Sequence, residues 1–270
     1  MDALFCASGA VPPFMPVPFY PWAHDVAIFK HPEWFPQSKF KRLITTNLFL
    51  RGIRKAKHVF AVSEDTKDTL VEVARIHSDR VTVTYQGIKT TQAEPEAKYG
   101  EYALIVGTIE PRKNIPFIIN LWEEVRAATN RDLKLVIAGK MGWGNVSIPK
   151  RDWLIRIDAP SDEERDRLYA GASVLLMPSL YEGFGRMALE AMALGTPVIA
   201  SNQGAIPEVV GGSGLLLDPQ NRQGWIKAIS DLLGHEQLRA GLVAGGRLQA
   251  QKFSWEKTAR IILAKIAEDW

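Results

Sequence analysis

The chain has 270 residues, 46% of them hydrophobic, and a formal net charge of +3. This composition supports a proper core in one large or two smaller domains. The single cysteine, Cys6, excludes an internal disulfide and fits a reducing compartment. No apolar run approaches the roughly 20 residues of a membrane span, and the first residues lack a signal-peptide pattern. We therefore expect a soluble or peripheral cytoplasmic protein, with the inner face of the membrane as a further location.

The first ninety residues contain four short strand candidates separated by loops and helices. They lie at 3–6, 19–22, 58–62 and 81–85. His24 and Asp25 directly follow the second of these strands, and Ser63 follows the third.

A basic segment separates the second and third of these strands. Its apolar side chains are Phe35, Phe40, Leu43, Ile44, Leu48 and Phe49, and its cations are Lys30, Lys39, Lys41, Arg42, Arg51, Arg54, Lys55 and Lys57. A basic amphipathic helix can lie on an anionic membrane. A core helix with a solvated basic face produces the same pattern, and it is the favoured interpretation. Nucleic acid is disfavoured as a partner because no recognised binding motif accompanies the charge.

From residue 100 onward the pattern alternates between apolar strands and helices, after a linker at 90–100 without apolar periodicity. The strands are expected at 102–106, 133–138, 153–157, 174–177 and 197–200, and the helices at 115–128, after the capping box 161–164, after 185 and after Ser254. Continuous apolar strands that alternate with helices predict a parallel sheet covered on both faces. Ligands bind beyond the carboxyl ends of such strands, where Gly107-Thr108, Gly139-Lys140, 179–185 and Ser201-Asn202 are found.

The segment 178–192 is a strand end, a glycine turn and a helix that is apolar on nearly every side. Such a helix is expected to be buried on every side, so the carboxylate of Glu190 needs a bound partner. Gly183 and Gly185 leave N–H groups open at the helix start, which favours an anion there. The segment therefore predicts a ligand that carries both hydroxyls and phosphate.

Two plainer interpretations of this segment stay open beside that one. In the first interpretation, Arg186 and Glu190 form a simple ion pair, because they are four residues apart on a helix. In the second, residues 183–188 are a dinucleotide fingerprint, which calls for an acidic residue about 20 positions later at the next strand end. That strand ends in Ser201-Asn202, so NAD is disfavoured.

Five motifs together resemble those of a known family. They are Glu182 and Glu190 with Gly-Phe-Gly between them, residues 106–114, residues 195–208, His24-Asp25 with 32–35, and residues 61–63. With these motifs the chain resembles the retaining GT-B glycosyltransferases of family 4 over essentially its whole length. The sequence of residues 107–114 is most similar to the corresponding segment of bacterial mannosyltransferases of surface-polysaccharide assembly.

The resemblance implies an α/β fold of two Rossmann-like parallel-sheet domains, the GT-B fold, with the N-terminal domain reduced. It places an acceptor-side domain at 1–92, a nucleotide-sugar domain at 93–253, and a helix at 254–270 that crosses back to the first domain. The glycine-rich loop and the first strand–helix units usual in the family are missing here. A fragment, a chain completed by a partner and a naturally reduced enzyme all remain open. Gln86-Gly87-Ile88 stands where the family usually has Asn-Gly-Val.

The same resemblance implies roles for individual residues. Glu182, His24, Arg112 and Lys113 are the catalytic candidates, and the donor-binding candidates are Gly107, Thr108, Arg112, Lys113, Gly139, Lys140, Gly183, Phe184, Gly185, Arg186 and Glu190. Arg112 and Lys113 would neutralise the donor diphosphate, and Glu190 would accept hydrogen bonds from ribose hydroxyls. Glu182 would lie beside the donor sugar, which His24 would face from the first domain. There are two alternatives to these roles. Arg112 and Lys113 are solvated loop charges in the first. In the second, His24 is a structural turn histidine beside a structural Asp25.

The sequence offers no pattern for a metal or a phosphate loop. It has no Asp-x-Asp, its five histidines lack metal-ligand spacing, and 139–144 lacks the Gly-Lys-Ser/Thr ending of a P-loop. We therefore expect no metal and no cofactor. The resemblance implies a nucleotide-diphosphate sugar as donor, with GDP-mannose favoured over a UDP-sugar.

Three functions are compared on this basis. The leading hypothesis is a retaining hexosyltransferase that acts on a glycan or lipid-linked acceptor. The second is a donor-binding subunit completed by another chain or a second copy, motivated by the missing glycine loop and the exposed strand at 3–6. The third, a sugar-nucleotide epimerase, is disfavoured by the Glu-x7-Glu spacing, and fold alone does not decide function.

Overall fold

The computed structural model describes residues 3–9, 11–89 and 92–268. The chain divides into two compact units. Among the described residues, the first unit comprises 3–87, Glu182–Phe184 and 253–268, and the second comprises 88–181 and 185–252. Thr90 and Thr91, at the start of the expected linker, lie outside the described residues.

The first unit is built on a four-stranded parallel sheet in the order β1-β2-β3-β4. Its strands are β1 (Leu4–Cys6), β2 (Phe19–Ala23), β3 (Val59–Ala61) and β4 (Val81–Val83). Each lies within or overlaps one of the four segments predicted to be strands. All residues of β2 and β3 are buried, as expected for central strands of a sheet that is covered on both faces.

In the described part of the first unit, four helices accompany this sheet. They are α1 (Ala27–Lys30), α2 (Lys39–Lys55), α3 (Glu64–Ala74) and α10 (Trp255–Glu268), with 3-10 turns at Pro32–Trp34 and Ser78–Arg80. Ser38 and Ser63 cap α2 and α3, each accepting a hydrogen bond from an N–H in the first turn. The helix α10 packs its Trp255 ring 6.0 Å from that of Trp22, so the end of the chain belongs to the first unit.

The second unit holds a six-stranded sheet in the order β10-β9-β8-β5-β6-β7, in which every pair is parallel. Its strands are β5 (Tyr102–Val106), β6 (Lys134–Ala138), β7 (Leu154–Ile157), β8 (Val174–Met177), β9 (Val198–Ser201) and β10 (Leu215–Leu217). The sheet order reverses between β5 and β8. In doubly wound sheets the crevice for a ligand opens at such a switch point.

Among the residues described for the second unit, six helices cover the two faces of this sheet. They are α4 (Ile115–Thr129), α5 (Asp162–Gly171), α6 (Arg186–Ala193), α7 (Ile206–Val210), α8 (Arg222–Gly234) and α9 (Glu236–Ala250), with 3-10 turns at Pro111–Lys113 and Gly211–Ser213. The predicted capping box is confirmed, because Ser161 and Glu164 exchange both hydrogen bonds at the start of α5. The core beneath α4 and α8 includes the fully buried rings of Trp122 and Trp225.

The favoured interpretation of the basic segment as a core helix is wrong for most of α2. Within this helix only Gly52 and Ile53 are buried. Four of the apolar residues that were expected to anchor it, Phe40, Leu43, Ile44 and Leu48, are 74%, 60%, 44% and 43% exposed. None of the helices in the described ranges has both the length and the apolarity needed to cross a membrane.

Candidate functional site

Two glycines bring the carboxyl ends of β5 and β6 into direct contact. A Cβ atom on Gly139 would lie 1.9 Å from the carbonyl oxygen of Gly107, so no side chain fits there. Gly107 itself has φ +130°, a conformation that favours glycine. Beyond them, the Ile109 N–H donates to the Lys140 carbonyl over 2.9 Å and ties the two following loops together. The result is a closely packed strip of backbone at the sheet edge, in which Gly107 and Thr108 are half-buried.

A cavity of about 290 Å³ opens beside this strip, at the carboxyl ends of the central strands. It is lined by Val106, Gly107, Thr108, Ala138, Gly139, Lys140, Ala159, Pro160, Arg165, Arg186, Met187 and Glu190. Six predicted binding residues from three separate segments therefore meet in one place. The sequence did not single out the wall made by Ala159, Pro160 and Arg165, which follows β7 and opens α5.

The helix α6 begins at this cavity. Gly185 is its N-cap with φ +108°, where an L side chain would be strained. Its carbonyl accepts hydrogen bonds from the Ala188 and Leu189 N–H groups, and the partial positive charge of the helix start is directed toward the cavity. The expectation that α6 is buried on every side is wrong, because Met187 is only half-buried on the face that lines the cavity.

Glu190 lies on the same face of α6 and is held by three side chains. Its carboxylate is 3.1 Å from Arg186 Nε and 3.7 Å from Arg165 Nε, and it accepts a hydrogen bond of 3.1 Å from the Tyr169 hydroxyl. The simple Arg186–Glu190 pair foreseen in the sequence is thus present as one part of a larger cluster. Burial raises the pKa of Glu190, while the three neighbours oppose the rise. Burial raises the pKa of Tyr169 well above its ordinary value, so its hydroxyl keeps the proton that it donates.

Arg112 and Lys113 lie in the 3-10 turn that follows β5. Arg112 is fixed by the buried carboxylate of Glu110, at 2.8 to 2.9 Å, and by the carbonyl of Tyr181 at 2.9 Å. Lys113 is only 7% exposed, and its Nζ lies against Gly107. The interpretation of these two residues as solvated loop charges is therefore wrong. Both cations are held at the edge of the sheet that carries the cavity.

The segment Glu182–Phe184 belongs to the first unit. The Gly183 carbonyl accepts hydrogen bonds from Ser63 Oγ over 2.7 Å and from Thr66 Oγ1 over 3.3 Å. A Cβ atom on Gly183 would lie 2.4 Å from the His24 carbonyl oxygen, so a glycine is required at this position. Two predicted catalytic candidates, Glu182 and His24, are thereby brought to neighbouring backbone positions, and Glu182 is 5% exposed.

His24 uses both of its ring nitrogens inside the first unit. Nε2 lies 2.7 Å from the Ala7 carbonyl oxygen, which can only accept, so this nitrogen carries the proton. Nδ1 lies 2.8 Å from the Gln86 amide nitrogen and accepts from it. Asp25 accepts a 2.7 Å hydrogen bond from the Ala27 N–H at the start of α1. The role of His24 toward a sugar stays a prediction. Its hydrogen bonds to Ala7 and Gln86 give it a structural role within the first unit.

Sequence reasoning missed the residues that hold the predicted ones in place. Glu110, Tyr169 and Gln86 each contact a candidate, and the sequence assigned none of them that role, although Glu110 and Gln86 stand within the segments 106–114 and 86–88 that it singled out. Only the motif at 107–114 contained a signal, because a buried acid two positions before an arginine suggests a pair. Among the described residues, no group of three His, Cys, Asp or Glu side chains is placed to hold a metal ion.

Comparison with known proteins gives consistent matches. The profile of the family described as Glycosyl transferases group 1 matches residues 100–235. The O-antigen chain mannosyltransferase B of Escherichia coli is 31% identical over 252 residues, covering 86% of this chain and 66% of that protein. The O-antigen chain mannosyltransferase RfbU of Salmonella typhimurium is 28% identical over 218 residues, covering 77% and 59%. The chain thus spans about two thirds or less of the length of these relatives.

Solved structures share the fold. The crystal structure of Anabaena Alr3699/HepE in complex with UDP and glucose superposes with a TM-score of 0.76 at 18% identity, covering 93% of this chain and 72% of that one. At this identity the likeness concerns the fold. It agrees with the two parallel-sheet units predicted from the sequence.

Proposed function

Because the chain belongs to the glycosyl transferases of group 1, we propose that it moves a hexose from a nucleotide sugar to a glycan or lipid-linked acceptor. GDP-mannose is the favoured donor, since the two relatives described above are named mannosyltransferases; a UDP-sugar is the second choice. The observation that carries the proposal is the cavity of the second unit, where the half-buried carboxylate of Glu190 shares one cavity with the backbone strip and the start of α6.

Donor recognition in this proposal divides between two ends of the cavity. Glu190 accepts hydrogen bonds from the ribose hydroxyls, because an ionised carboxylate offers acceptors only. Tyr169 and Arg165 keep that carboxylate in place from α5. The base is received by the wall of Ala159 and Pro160, whose apolar atoms suit a flat ring.

The donor diphosphate is bound by positively charged groups that the fold holds in place. Arg112 provides a planar fork and Lys113 a point charge, and the start of α6 adds its dipole. Since Glu110 already holds the Arg112 guanidinium, little reorganisation is needed when charge grows on the leaving diphosphate. This arrangement supplies charge stabilisation from the chain's own groups, without a metal or other cofactor.

The transfer step is proposed to retain the configuration of the sugar. The bond from the anomeric carbon to the diphosphate oxygen breaks, and the bond to the acceptor oxygen forms on the same face. The acceptor proton passes to a phosphate oxygen of the leaving group. Glu182 stabilises the positive charge on the sugar ring, and His24 contacts the sugar hydroxyls.

A second candidate function rests on the edge of the first sheet. Among the described residues β1 is an edge strand of that sheet, and an edge strand is available for pairing with another strand. In this alternative the chain is a donor-binding subunit that a complementing chain or a second copy completes. A lipid-linked acceptor would in either case bring the protein to the inner face of the membrane.

One experiment separates the two functions. The purified chain is titrated calorimetrically with GDP-mannose, UDP-glucose and the free diphosphates, and any binder is then tested for slow donor hydrolysis. Binding of one donor with hydrolysis supports the complete enzyme, and binding without hydrolysis supports the donor-binding subunit. Failure of every nucleotide to bind would contradict both.

A further inference from the structure

The helix α2 carries an apolar stripe that no other part of the described chain covers. Phe40, Leu43, Ile44 and Leu48 follow the spacing i, i+3, i+4 and i+8, so they share one face over more than two turns. Each is between 43% and 74% exposed. Scattered exposed apolar residues are normal on a protein surface, whereas a contiguous row of four large ones indicates an interaction site.

The opposite face of α2 already serves the first unit, so the stripe is not a misplaced core face. Gly52 and Ile53 are buried, and a Cβ atom on Gly52 would lie 2.5 Å from the Pro12 carbonyl oxygen. The helix therefore packs closely against residues 11–12 on one side. Its apolar residues are divided between an inner face that packs against the first unit and an outer face that is exposed to solvent.

The charge along α2 and its flanking segments is of one sign. Residues 34–63 contain seven Lys and Arg and no Asp or Glu. Within α2, Lys39, Lys41, Arg51 and Lys55 are exposed. Phe14, itself 66% exposed, lies beneath Lys55, whose Nζ is 5.5 Å from the ring centroid, and it extends the apolar surface beyond the end of the helix.

We propose that this face of α2, formed by Phe40, Leu43, Ile44 and Leu48 with the cations beside them, lies on an anionic lipid bilayer. A helix in the interfacial plane buries apolar side chains at the level of the acyl chains while its Lys and Arg contact the anionic headgroups. The long stems of Lys and Arg extend from the helix to those headgroups. A protein partner would need an acidic rim around an apolar groove to match the same face, whereas an anionic bilayer presents both features over any area.

This inference concerns a surface of the first unit and goes beyond the donor site. It is tested without nucleotide or transfer, so its failure leaves the proposed function untouched. The probes are vesicles of phosphatidylglycerol and phosphatidylcholine in equal parts, and vesicles of phosphatidylcholine alone. The full chain is mixed with each, the vesicles are sedimented, and the bound fraction is measured at low and at physiological salt.

The wild-type chain is expected to sediment with the anionic vesicles and to stay in solution with the neutral ones. The double variant Phe40→Ser/Leu43→Ser is expected to bind about tenfold more weakly, because it removes much of the inserted apolar area. The double variant Lys41→Gln/Arg51→Gln should lose a comparable factor, and its binding should depend less steeply on salt concentration. Because all four residues are exposed, circular dichroism should show unchanged folding.

A matched control comes from the same unit. Leu263 on α10 is 66% exposed and lies outside the stripe, so Leu263→Ser should bind vesicles as the wild type does. Equal loss in Leu263→Ser and Phe40→Ser/Leu43→Ser would overturn the proposal, and so would a wild-type chain that ignores anionic vesicles. If Phe40→Ser/Leu43→Ser instead abolishes a dimer seen by light scattering, the stripe is a contact between copies and the bilayer proposal is wrong.

Discussion

The Tyr169 hydroxyl on α5 donates a 3.1 Å hydrogen bond to Glu190 Oε2 on α6. The tyrosine ring is fully buried, so the bond fixes the carboxylate from inside the second unit. The exposed Arg186 and the half-buried Arg165 hold the same carboxylate through their Nε atoms. Glu190 is therefore oriented before any ligand arrives, which lowers the entropic cost of binding one.

Replacing Tyr169 by phenylalanine should weaken nucleotide binding without unfolding the protein. A hydrogen bond to a charged group contributes about 1.5–3 kcal/mol, and the loss of orientation should appear as an affinity for GDP that is reduced about tenfold. Calorimetry measures it. Tyr102→Phe is the matched control, because its buried hydroxyl bonds the Leu168 carbonyl at 2.8 Å and not Glu190. Equal losses of affinity in both variants would argue against a role for the Tyr169 bond in binding.

The raised pKa of Glu190 predicts how stability depends on pH. Between the ordinary value of about 4.3 and the raised value, the folded chain binds more protons than the unfolded one, so this residue's contribution falls as pH rises. Glu190→Gln removes that titration. Its melting temperature relative to wild type should therefore rise with pH across this window and level off above it.

The control for this pH effect is Glu164→Gln. The backbone and side chain of Ser161 lower the pKa of Glu164 through the capping box, so Glu164 contributes stability that is lost as pH falls. The relative melting temperature of Glu164→Gln should accordingly fall as pH rises through the window just below the ordinary carboxyl pKa, and level off above it. A Glu190→Gln difference that also falls as pH rises, or that does not change above the ordinary value, would show that Glu190 is not destabilised by burial.

Arg112 should determine the preference for a diphosphate over a monophosphate. Arg112→Ala removes the fork while Glu110 remains, so the affinity for GDP should fall by about tenfold or more and that for GMP much less. Arg112→Lys should restore little, because an ammonium cannot reproduce the paired geometry with Glu110. Arg126→Ala, on the exposed face of α4, is the control. Parallel losses for GDP and GMP in Arg112→Ala would place Arg112 away from the second phosphate.

Gly139 should tolerate no side chain. In Gly139→Ala the added Cβ would meet the Gly107 carbonyl at 1.9 Å, so the strand ends must separate, at a cost of about 3 kcal/mol or more. Chemical denaturation measures the loss. Gly241→Ala inside α9 has open space around it and should instead stabilise the helix by about 0.5–1 kcal/mol. A Gly139→Ala variant as stable as wild type would show that the close contact of β5 and β6 is not required.

Much of the second unit could be predicted from the sequence because its strands are short continuous apolar runs bounded by glycine and polar residues. The strand β10 was not predicted, since Leu215–Leu217 is only three residues long and follows a glycine-rich turn. The helix α9 was also missed. It contains Gly241, Gly245 and Gly246, which weaken helix propensity, but a Cβ on Gly246 would lie 3.1 Å from Met192 Cγ, so this glycine permits close packing with α6.

The site itself was predictable only in its local motifs. Glu190 and Arg112 stand out because charge in an apolar helix or after a buried strand needs an explanation. Their partner residues were not predicted. Tyr169 carries no signal, since tyrosine in an amphipathic helix is equally consistent with simple packing, and Glu110 carries only the local signal of an acid two positions before Arg112. The exposure of Phe40 and Leu43 was missed for the opposite reason: α2 has apolar residues on two faces, and the sequence does not show which face packs.

The central claim is that Glu190 in the second unit receives the ribose of a nucleotide donor. The most direct test is a calorimetric cycle with GDP and 2′,3′-dideoxy-GDP on the wild type and on Glu190→Gln. Removing the two ribose hydroxyls of GDP is expected to lower the affinity of the wild type about tenfold. It should lower the affinity of Glu190→Gln much less, because the two changes remove the same hydrogen bonds. Equal losses for both proteins would contradict it and place the ribose elsewhere.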